Sequence, residues 1–348
     1  MGKAPTRDDV AKRAGVSAAV VSYVMNDGPK PVSDRARAKV LAAVEQLGYR
    51  PNKLARALRA NRSSTIGLLM PDAANPFFWE LAQRVEHECV SRGYTLSIGT
   101  TNNDETREVE YLQNLADRQV DGVIIISAAS DWQHHAELAQ VPTVLVDRAP
   151  AHAAPAVAQT DGREGSRLAL EHLIEVHDRR RILVLAGPPE LESTIGRRRG
   201  VEDALEAHQV VHGHLVNGAF SLVSGYSMTR EQIASGEQFD AIFAFSDAQG
   251  IGALRACAEA GLNVPRDVSV AAFDGTDMAA YVRPSLTTVK QDVHAMARTA
   301  VASLEAMMRA GGAKPPPEAG PQRLERATLR IAESCGCNPD PTVFRDKS

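Results

Sequence analysis

Cysteine is scarce in this chain: four among 348 residues, at positions 89, 257, 335 and 337. They are too few and too scattered for a disulfide framework, which excludes a small cystine-stapled scaffold and fits a reducing compartment. No run approaches the roughly 18 apolar residues that a membrane span needs, so a membrane partner is not expected. Met1 to Asp9 contain no apolar stretch of the kind a secretory signal carries, and a cytoplasmic location is expected. Enzyme signatures are missing too: no Gly-x-Gly-x-x-Gly behind a strand, no Walker loop, no Gly-x-Ser-x-Gly elbow and no His-Glu-x-x-His pair. What remains is an ordinary globular composition, 44% hydrophobic and 24% charged, long enough for two or three domains.

The chain's net charge of −4 hides a split. Residues 1–62 carry thirteen Lys and Arg against five acids, a net of +8, and the remaining residues carry −12. A small basic head on an acidic body is the pattern of a polyanion binder of which one part touches the polyanion. A solvated basic extension would show the same charge.

The head reads as three short helices. Thr6 can cap a first helix from Arg7 to Ala14, with Asp8 and Asp9 near its positive end. Gly15-Val16 is a tight turn, and Ser17 can cap a second helix to about Met25. Ser33 caps a third, in which Val40, Leu41, Val44 and Leu47 recur at helical spacing before Gly48 ends it. Val10, Ala14, Val16, Val21 and Val24 can close a small core against it. Two helices, a glycine turn and a supporting third helix make a helix-turn-helix. Asn52 can then cap a helix of about eight residues, too short to be stable alone in water and rich in arginine. That segment should order only against a partner.

From residue 64 strands alternate with amphipathic stretches. Strands are expected at Thr65–Met70, Thr95–Gly99, Gly122–Ser127, Thr143–Asp147, Arg181–Ala186, Ala241–Phe245 and Val268–Phe273. Helices are expected at Trp79–Arg92, Thr106–Arg118, Gly165–Val176 and Ala248–Ala260. Apolar runs such as Val123-Ile124-Ile125-Ile126 suit parallel strands buried on both faces. About 270 residues of this pattern suggest two doubly wound parallel-sheet α/β lobes. The tail has no leucine heptads, so a coiled-coil tetramer is not expected.

The run Asp9-Val-Ala-Lys-Arg-Ala-Gly-Val-Ser17, with Val21-Ser22 and Asn26, resembles the lactose-repressor (LacI) family of transcription factors. So do Gly48-Tyr49-Arg50-Pro51-Asn52, Ala55-Arg56-Ala57-Leu58, Asn75-Pro-Phe-Phe78, Asp147-Arg148, Arg197-Arg-Arg-Gly200, Phe245-Ser-Asp247, Phe273-Asp274 and Pro284-Ser-Leu-Thr-Thr-Val289. The resemblance spans roughly residues 6–336. It implies a helix-turn-helix head at 1–49, a hinge helix and linker at 50–63, a two-lobed core like that of the periplasmic binding proteins at 64–340, and a tail at 341–348. It also implies a homodimeric, sequence-specific repressor on a near-palindromic double-stranded operator, with affinity set by a small-molecule effector, a carbohydrate in many relatives.

In this family bases are read by the two residues after the capping Ser and by a third one turn later, here Ala18, Ala19 and Tyr23. Two alanines offer only apolar contact to thymine methyl groups, which leaves Tyr23 as the polar reader. Thr6, Ser17, Ser22, Asn26, Asn52 and Arg56 are the phosphate or capping candidates, and Ser17 could serve as a cap alone. Where the family usually has Thr, this chain has Val20. Leu58 matches the family's intercalating leucine, a wedge into the minor groove, although a leucine packed on its own protein would read alike. Effector contacts fall on Phe77, Phe78, Ser193, Arg197, Phe220, Ser246 and Asp274. Asp147 is a further candidate and Asp161 another, each with a helix-capping alternative. Asp247 is expected to cap the helix after it.

No cofactor is expected. His134-His135 read as solvated, and Cys335-Gly-Cys337 lacks a second ligand pair, so no metal is expected either. A small-molecule sensor without a repressor role and a sugar-processing α/β enzyme are the alternatives. A periplasmic binding protein would share the body but not the +8 head.

Overall fold

The computed structural model describes residues 5–25, 30–49, 63–129, 131–132, 135, 141–148, 157–209, 211–311 and 323–338. The chain divides into two units between Ser63 and Ser64.

The first unit is built on three helices, α1 (Arg7–Ala14), α2 (Ala18–Met25) and α3 (Asp34–Leu47). Thr6 and Asp9 form a reciprocal capping box, in which Asp9 N donates to Thr6 Oγ1 at 3.3 Å and Thr6 N donates to Asp9 Oδ2 at 2.8 Å. Both donors would otherwise be orphans of the first turn. Ser17 Oγ accepts from Val20 N and Ser33 Oγ from Ala36 N, so both serines cap as their positions suggest. Gly15 and Gly48 end α1 and α3 in the left-handed conformation. The core is Val10, Ala11, Ala14, Val21, Val24, Val40 and Ala43, flanked by half-buried Val16, Val20 and Val44. Leu41, expected on the packed stripe, is instead 49% exposed, because the stripe of a short helix against two others narrows to Val40, Ala43 and Val44.

The second unit holds two six-stranded sheets. In the first lobe the elements are β1 (Thr65–Met70), α4 (Pro76–Ser91), β2 (Thr95–Thr100), α5 (Glu105–Asp117), β3 (Gly122–Ile125), β4 (Thr143–Val146) and β5 (Val157–Thr160). In the second they are α6 (Gly162–Glu171), β6 (Arg181–Ala186), α7 (Glu192–Ala207), β7 (His212–Asn217), α8 (Leu222–Ser235), β8 (Ala241–Ala244), α9 (Asp247–Glu259), β9 (Ser269–Asp274), α10 (Met278–Tyr281) and β10 (Thr287–Lys290). The chain then returns to the first lobe with α11 (Val293–Arg309) and β11 (Arg323–Glu325), and crosses once more to β12 (Thr328–Arg330). Sheet order is β11-β5-β4-β3-β1-β2 in one lobe and β12-β10-β9-β8-β6-β7 in the other. Every pairing among the described residues is parallel except β10 with β12.

Three crossings, after β5, after β10 and between β11 and β12, thus join the lobes. Met296, Ala300, Val301 and Leu304 of α11 lie in the first lobe's core with Leu68, Phe77 and Ile124. Leu170, Leu173, Val184, Phe243 and Phe273 lie in that of the second. The seven expected strands are present. Strands β5, β7, β10, β11 and β12 and helices α7, α8, α10 and α11 were not expected from the sequence pattern. Four of those strands are short or edge elements, and the half-exposed β7 lacks a continuous apolar run.

Helices α6 and α7 cross at Gly200, where an added Cβ would stand 2.0 Å from the carbonyl oxygen of Arg163. At Gly196, one turn earlier on α7, the nearest atom would be 3.8 Å away. Gly200→Ala should therefore cost about 1–3 kcal/mol in urea unfolding through overpacking. Gly196→Ala should be neutral or stabilising by up to about 1 kcal/mol; equal effects at the two positions would contradict the close crossing.

Candidate functional site

In the head, the core contacts of Val21 and Val24 fix which face of α2 turns outward. Ser17 and Ala19 are exposed, and Ala18, Ser22 and Tyr23 are half-buried. Val20 packs at the edge of the core, which accounts for an apolar residue at a position where a hydroxyl would face outward. Thr6 is exposed at the start of α1 with its hydroxyl on the Asp9 carboxylate. Asn26, Asn52, Arg56 and Leu58 lie outside the described residues, as does the segment expected to form the hinge helix.

In the body, all eight candidate effector residues line one pocket. Phe77, Phe78, Asp147, Ser193, Arg197, Phe220, Ser246 and Asp274 meet there, joined by Asn75 and Arg148. They come from the C-terminal ends of strands in both lobes: Asn75 and the phenylalanines after β1, Asp147 after β4, Arg197 on the helix after β6, Ser246 after β8, Asp274 at the end of β9. This is where open parallel sheets place ligands. Free volume inside that ring of residues is only about 10 Å³. It shares Asp147, Ser193 and Arg197 with an adjoining cavity of about 260 Å³, lined also by Gln159, Asp161, Glu192, Phe273 and Gln291.

Arg197 is the centre of the pocket. Its Nη1 donates to the carbonyl of Phe245, its Nη2 lies 3.6 Å from Asp274 Oδ1, and its guanidinium carbon stands 4.0 Å from the centre of the Phe273 ring and 5.6 Å from that of Phe220. Asp274 also accepts from Gln291 Nε2 at 3.0 Å. Burial pushes the Asp274 carboxyl well above the usual range, with Arg197 opposing, and raises Asp147 in the same way. Arg148 faces the Phe78 ring at 5.3 Å, and its Nη1 donates to Asn103 Oδ1 at 3.3 Å. Burial lowers its affinity for the proton. Asn75 bridges the lobes, accepting from Phe77 N and donating from Nδ2 to the Phe220 carbonyl at 3.3 Å.

Among the described residues, Arg148 Nε, Gln159 Oε1 and Ser193 Oγ are buried polar atoms with no hydrogen-bond partner in the protein. Each lines one of the two cavities. Leaving such atoms unpaired costs free energy that a hydroxylated molecule in the cleft would recover. Arg148 and Asn75 stand in the motifs of the family resemblance, which is the signal that could have marked them as cleft residues. Gln159 and Glu192 lie on elements that the sequence pattern did not reveal.

Two expectations need correction. Asp247 does not cap α9; Ser246 does, accepting from Gln249 N at 3.1 Å. Asp247 is buried beneath the cleft, where its carboxylate takes hydrogen bonds from Thr276 N, Thr276 Oγ1 and Thr288 Oγ1. His135 is buried rather than solvated, stacked on Trp132 with Nε2 3.3 Å from Glu108, while His134 lies outside the described residues. Asp161 caps α6 through Glu164 N and lines the larger cavity as well, so its two readings coexist.

Residues 6–52 match the lacI family of bacterial regulatory proteins, and residues 170–335 match a periplasmic binding protein-like domain. The HTH-type transcriptional repressor PurR of Photobacterium profundum is 33% identical over 85% of this chain and 90% of its own length. The ribose operon repressor of Escherichia coli is 34% identical over 82% of this chain and 88% of its own. The chain belongs to the LacI family. The crystal structure of the lac repressor dimer bound to operator and an anti-inducer superposes with a TM-score of 0.84 at 27% identity, covering 96% of this chain and 99% of that one. This LacI-family protein is therefore a DNA-binding transcriptional repressor that answers to a small molecule, and not an enzyme. Among the described residues no helix is long and apolar enough to cross a membrane.

The Arg197–Asp274 contact generates a pH prediction. Because the folded chain holds the Asp274 proton more tightly than the unfolded chain, that carboxyl lowers stability as pH rises above its usual range. Removing Arg197 strengthens that preference. If the Asp274 proton is then held ten times more tightly, the stability deficit of Arg197→Ala should widen by up to about 1.4 kcal/mol in urea titrations as pH rises through the range, well above the usual carboxylate range, in which Asp274 ionises in the folded wild-type chain. In an Asp274→Asn background the widening should shrink to what Asp147, whose proton Arg197 also opposes, contributes; a widening unchanged there would remove Asp274 from the explanation.

Proposed function

We propose that the protein acts in the cytoplasm as a homodimer, each head reading one half of a near-palindromic operator, with the cleft of each body holding a sugar or sugar derivative. The observation that carries the ligand assignment is the convergence of eight candidate residues from both lobes on one pocket, beside buried polar atoms without protein partners. The ring faces of Phe77, Phe78 and Phe220 suit the apolar face of a sugar ring. Arg197, Asp274, Asp147 and Ser193 suit its hydroxyls, with Ser246 positioned at the α9 terminus. The ribose operon named for the Escherichia coli relative agrees with this chemistry.

On DNA, Tyr23 serves as the polar base reader, Ala18 and Ala19 as apolar contacts, and Thr6, Ser17, Ser22 and Asn26 as groups toward phosphate. Residues 50–63 form the hinge, in which Asn52 caps, Arg56 meets phosphate and Leu58 wedges the minor groove. A ligand changes operator affinity only by its differential binding to two states of the body, at about 1.4 kcal/mol per tenfold.

Selection of duplexes from a random library by the full-length chain should yield a near-palindrome. Its affinity should fall with salt at a log–log slope near −8, roughly −0.9 per phosphate contacted by two heads. Tyr23→Ala should lose about tenfold or more in affinity and relax one position of the selected site. A chain that selects no duplex at low salt overturns the DNA reading. Calorimetry against a panel of pentoses, hexoses and their derivatives should find one that binds, and Ser193→Ala should weaken it about tenfold while leaving ligand-free operator affinity intact. If no sugar binds and a ligand of another class does, the carbohydrate assignment fails and the repressor assignment stands.

A further inference from the structure

In the sequence, Cys335-Gly-Cys337 has no second ligand pair near it. Folding supplies one. His172 and His177, about 160 residues earlier, stand beside the two thiols, and the four ligand atoms all lie within 4.8 Å of one another. His172 Nε2 is 3.3 Å from His177 Nε2 and 3.4 Å from Cys335 Sγ; Cys337 Sγ is 3.4 Å from His177 Nε2 and 3.9 Å from His172 Nε2. Tetrahedral zinc, with bonds of about 2.0–2.1 Å to nitrogen and about 2.3 Å to sulfur, separates two nitrogens by about 3.3 Å and a nitrogen from a sulfur by about 3.6 Å. The nitrogen–nitrogen separation matches, and the three nitrogen–sulfur separations fall on either side of the tetrahedral value. A hydrogen-bonded cluster would account for single edges, such as the 3.4 Å contact between His172 Nε2 and the Cys335 thiol. A central cation accounts for these four separations together.

Two backbone features assemble this set. Residues His172–Val176 form a π-helical turn at the end of α6. On an α-helix, side chains five apart point about 140° away from each other; the wider π turn brings His172 and His177 onto one side, their rings meeting edge to face with centroids 4.9 Å apart. Such turns are uncommon and concentrate at functional sites. On the other segment of the site, Gly336 ends the short 3-10 turn Glu333–Cys335 with φ +112°, a conformation that side chains rarely adopt, and an added Cβ there would lie 3.3 Å from the His177 ring. Only glycine between the cysteines lets the chain double back and present both sulfurs to one point.

We propose that His172, His177, Cys335 and Cys337 form a structural Cys₂His₂ zinc site. Two thiolates neutralise the dication, so the loaded site carries no net charge in its part-buried position, with Cys335 fully buried and the other three ligands half-buried. The ion fastens the last described segment, which follows the single antiparallel strand β12, to the first helix of the second lobe. None of its four residues lines either cavity of the cleft.

The test uses the full-length chain purified without chelator. Elemental analysis should find about one zinc per chain, chelation at mildly acidic pH should lower the melting temperature by several degrees, and added zinc should restore it. Cobalt in place of zinc should give the intense d–d bands and thiolate charge-transfer absorption of a tetrahedral site with two sulfurs. Cys337→Ser and His177→Ala should each abolish stoichiometric zinc. Zinc absent from the purified chain and not taken up on addition, a cobalt spectrum of octahedral type, zinc retained in both variants, or a Cys335–Cys337 disulfide in place of free thiols would each overturn the proposal. The wild-type measurements decide it even if a variant does not fold.

Discussion

A guanidinium held out of water at the junction of two lobes sets the terms for the rest of the body. Arg197 is buried, and a buried charge is tolerated only where carbonyls, carboxylates or rings answer it. The Phe245 carbonyl, the Asp274 carboxyl and the Phe273 face all belong to strands or strand ends of the second lobe, while Asp147, which also feels the Arg197 charge, ends a strand of the first. The cleft is thus polar because the sheets terminate there, and its narrow part is lined also by the rings of Phe77, Phe78 and Phe220. Its buried carboxyls hold their protons more tightly than they would in water, which makes the same ring of residues responsive to whatever polar molecule replaces the missing solvation.

The threefold crossing between lobes explains why such a cleft can be both built and adjustable. The first two crossings each carry a cleft residue, Asp161 after β5 and Gln291 after β10, and the third is the short link between β11 and β12. Each lobe has its own apolar core, with α11 completing the first and α6 the second. Their relative closure is therefore governed by a few polar contacts, among them Asn75 to Phe220 and Asp277 N to Glu80, rather than by buried apolar area. Contacts of that size can be exchanged for ligand contacts at little cost, which is the physical content of an effector-biased equilibrium.

The head follows a different logic. Its core is seven small or β-branched residues, so caps matter more than in the body. The Thr6–Asp9 box, the Ser17 and Ser33 caps and the two left-handed glycines satisfy the helix ends that a core this small could not stabilise by burial alone. What is left facing outward on α2 is the short row from Ser17 to Tyr23. A small head reads DNA with few side chains, and the charge split along the chain leaves attraction to phosphate to the head alone.

Much of this was legible along the chain, because it depends on local periodicity. Helix caps at Thr6, Ser17 and Ser33, the glycine stops, the buried parallel strands and the motif residues of the cleft are encoded within a few positions of where they act. Tertiary structure decided what depends on pairing between distant segments. The three-residue strands β11 and β12 exist only because an edge was waiting for them. Asp247 left its capping role because two threonines from other elements reached it first, and His135 was drawn inside by Trp132 and Glu108. The clearest case is the pair of histidines brought to Cys335 and Cys337: nothing in their spacing announces a ligand set, since a π turn and one left-handed glycine, not sequence proximity, put four donor atoms around a single point.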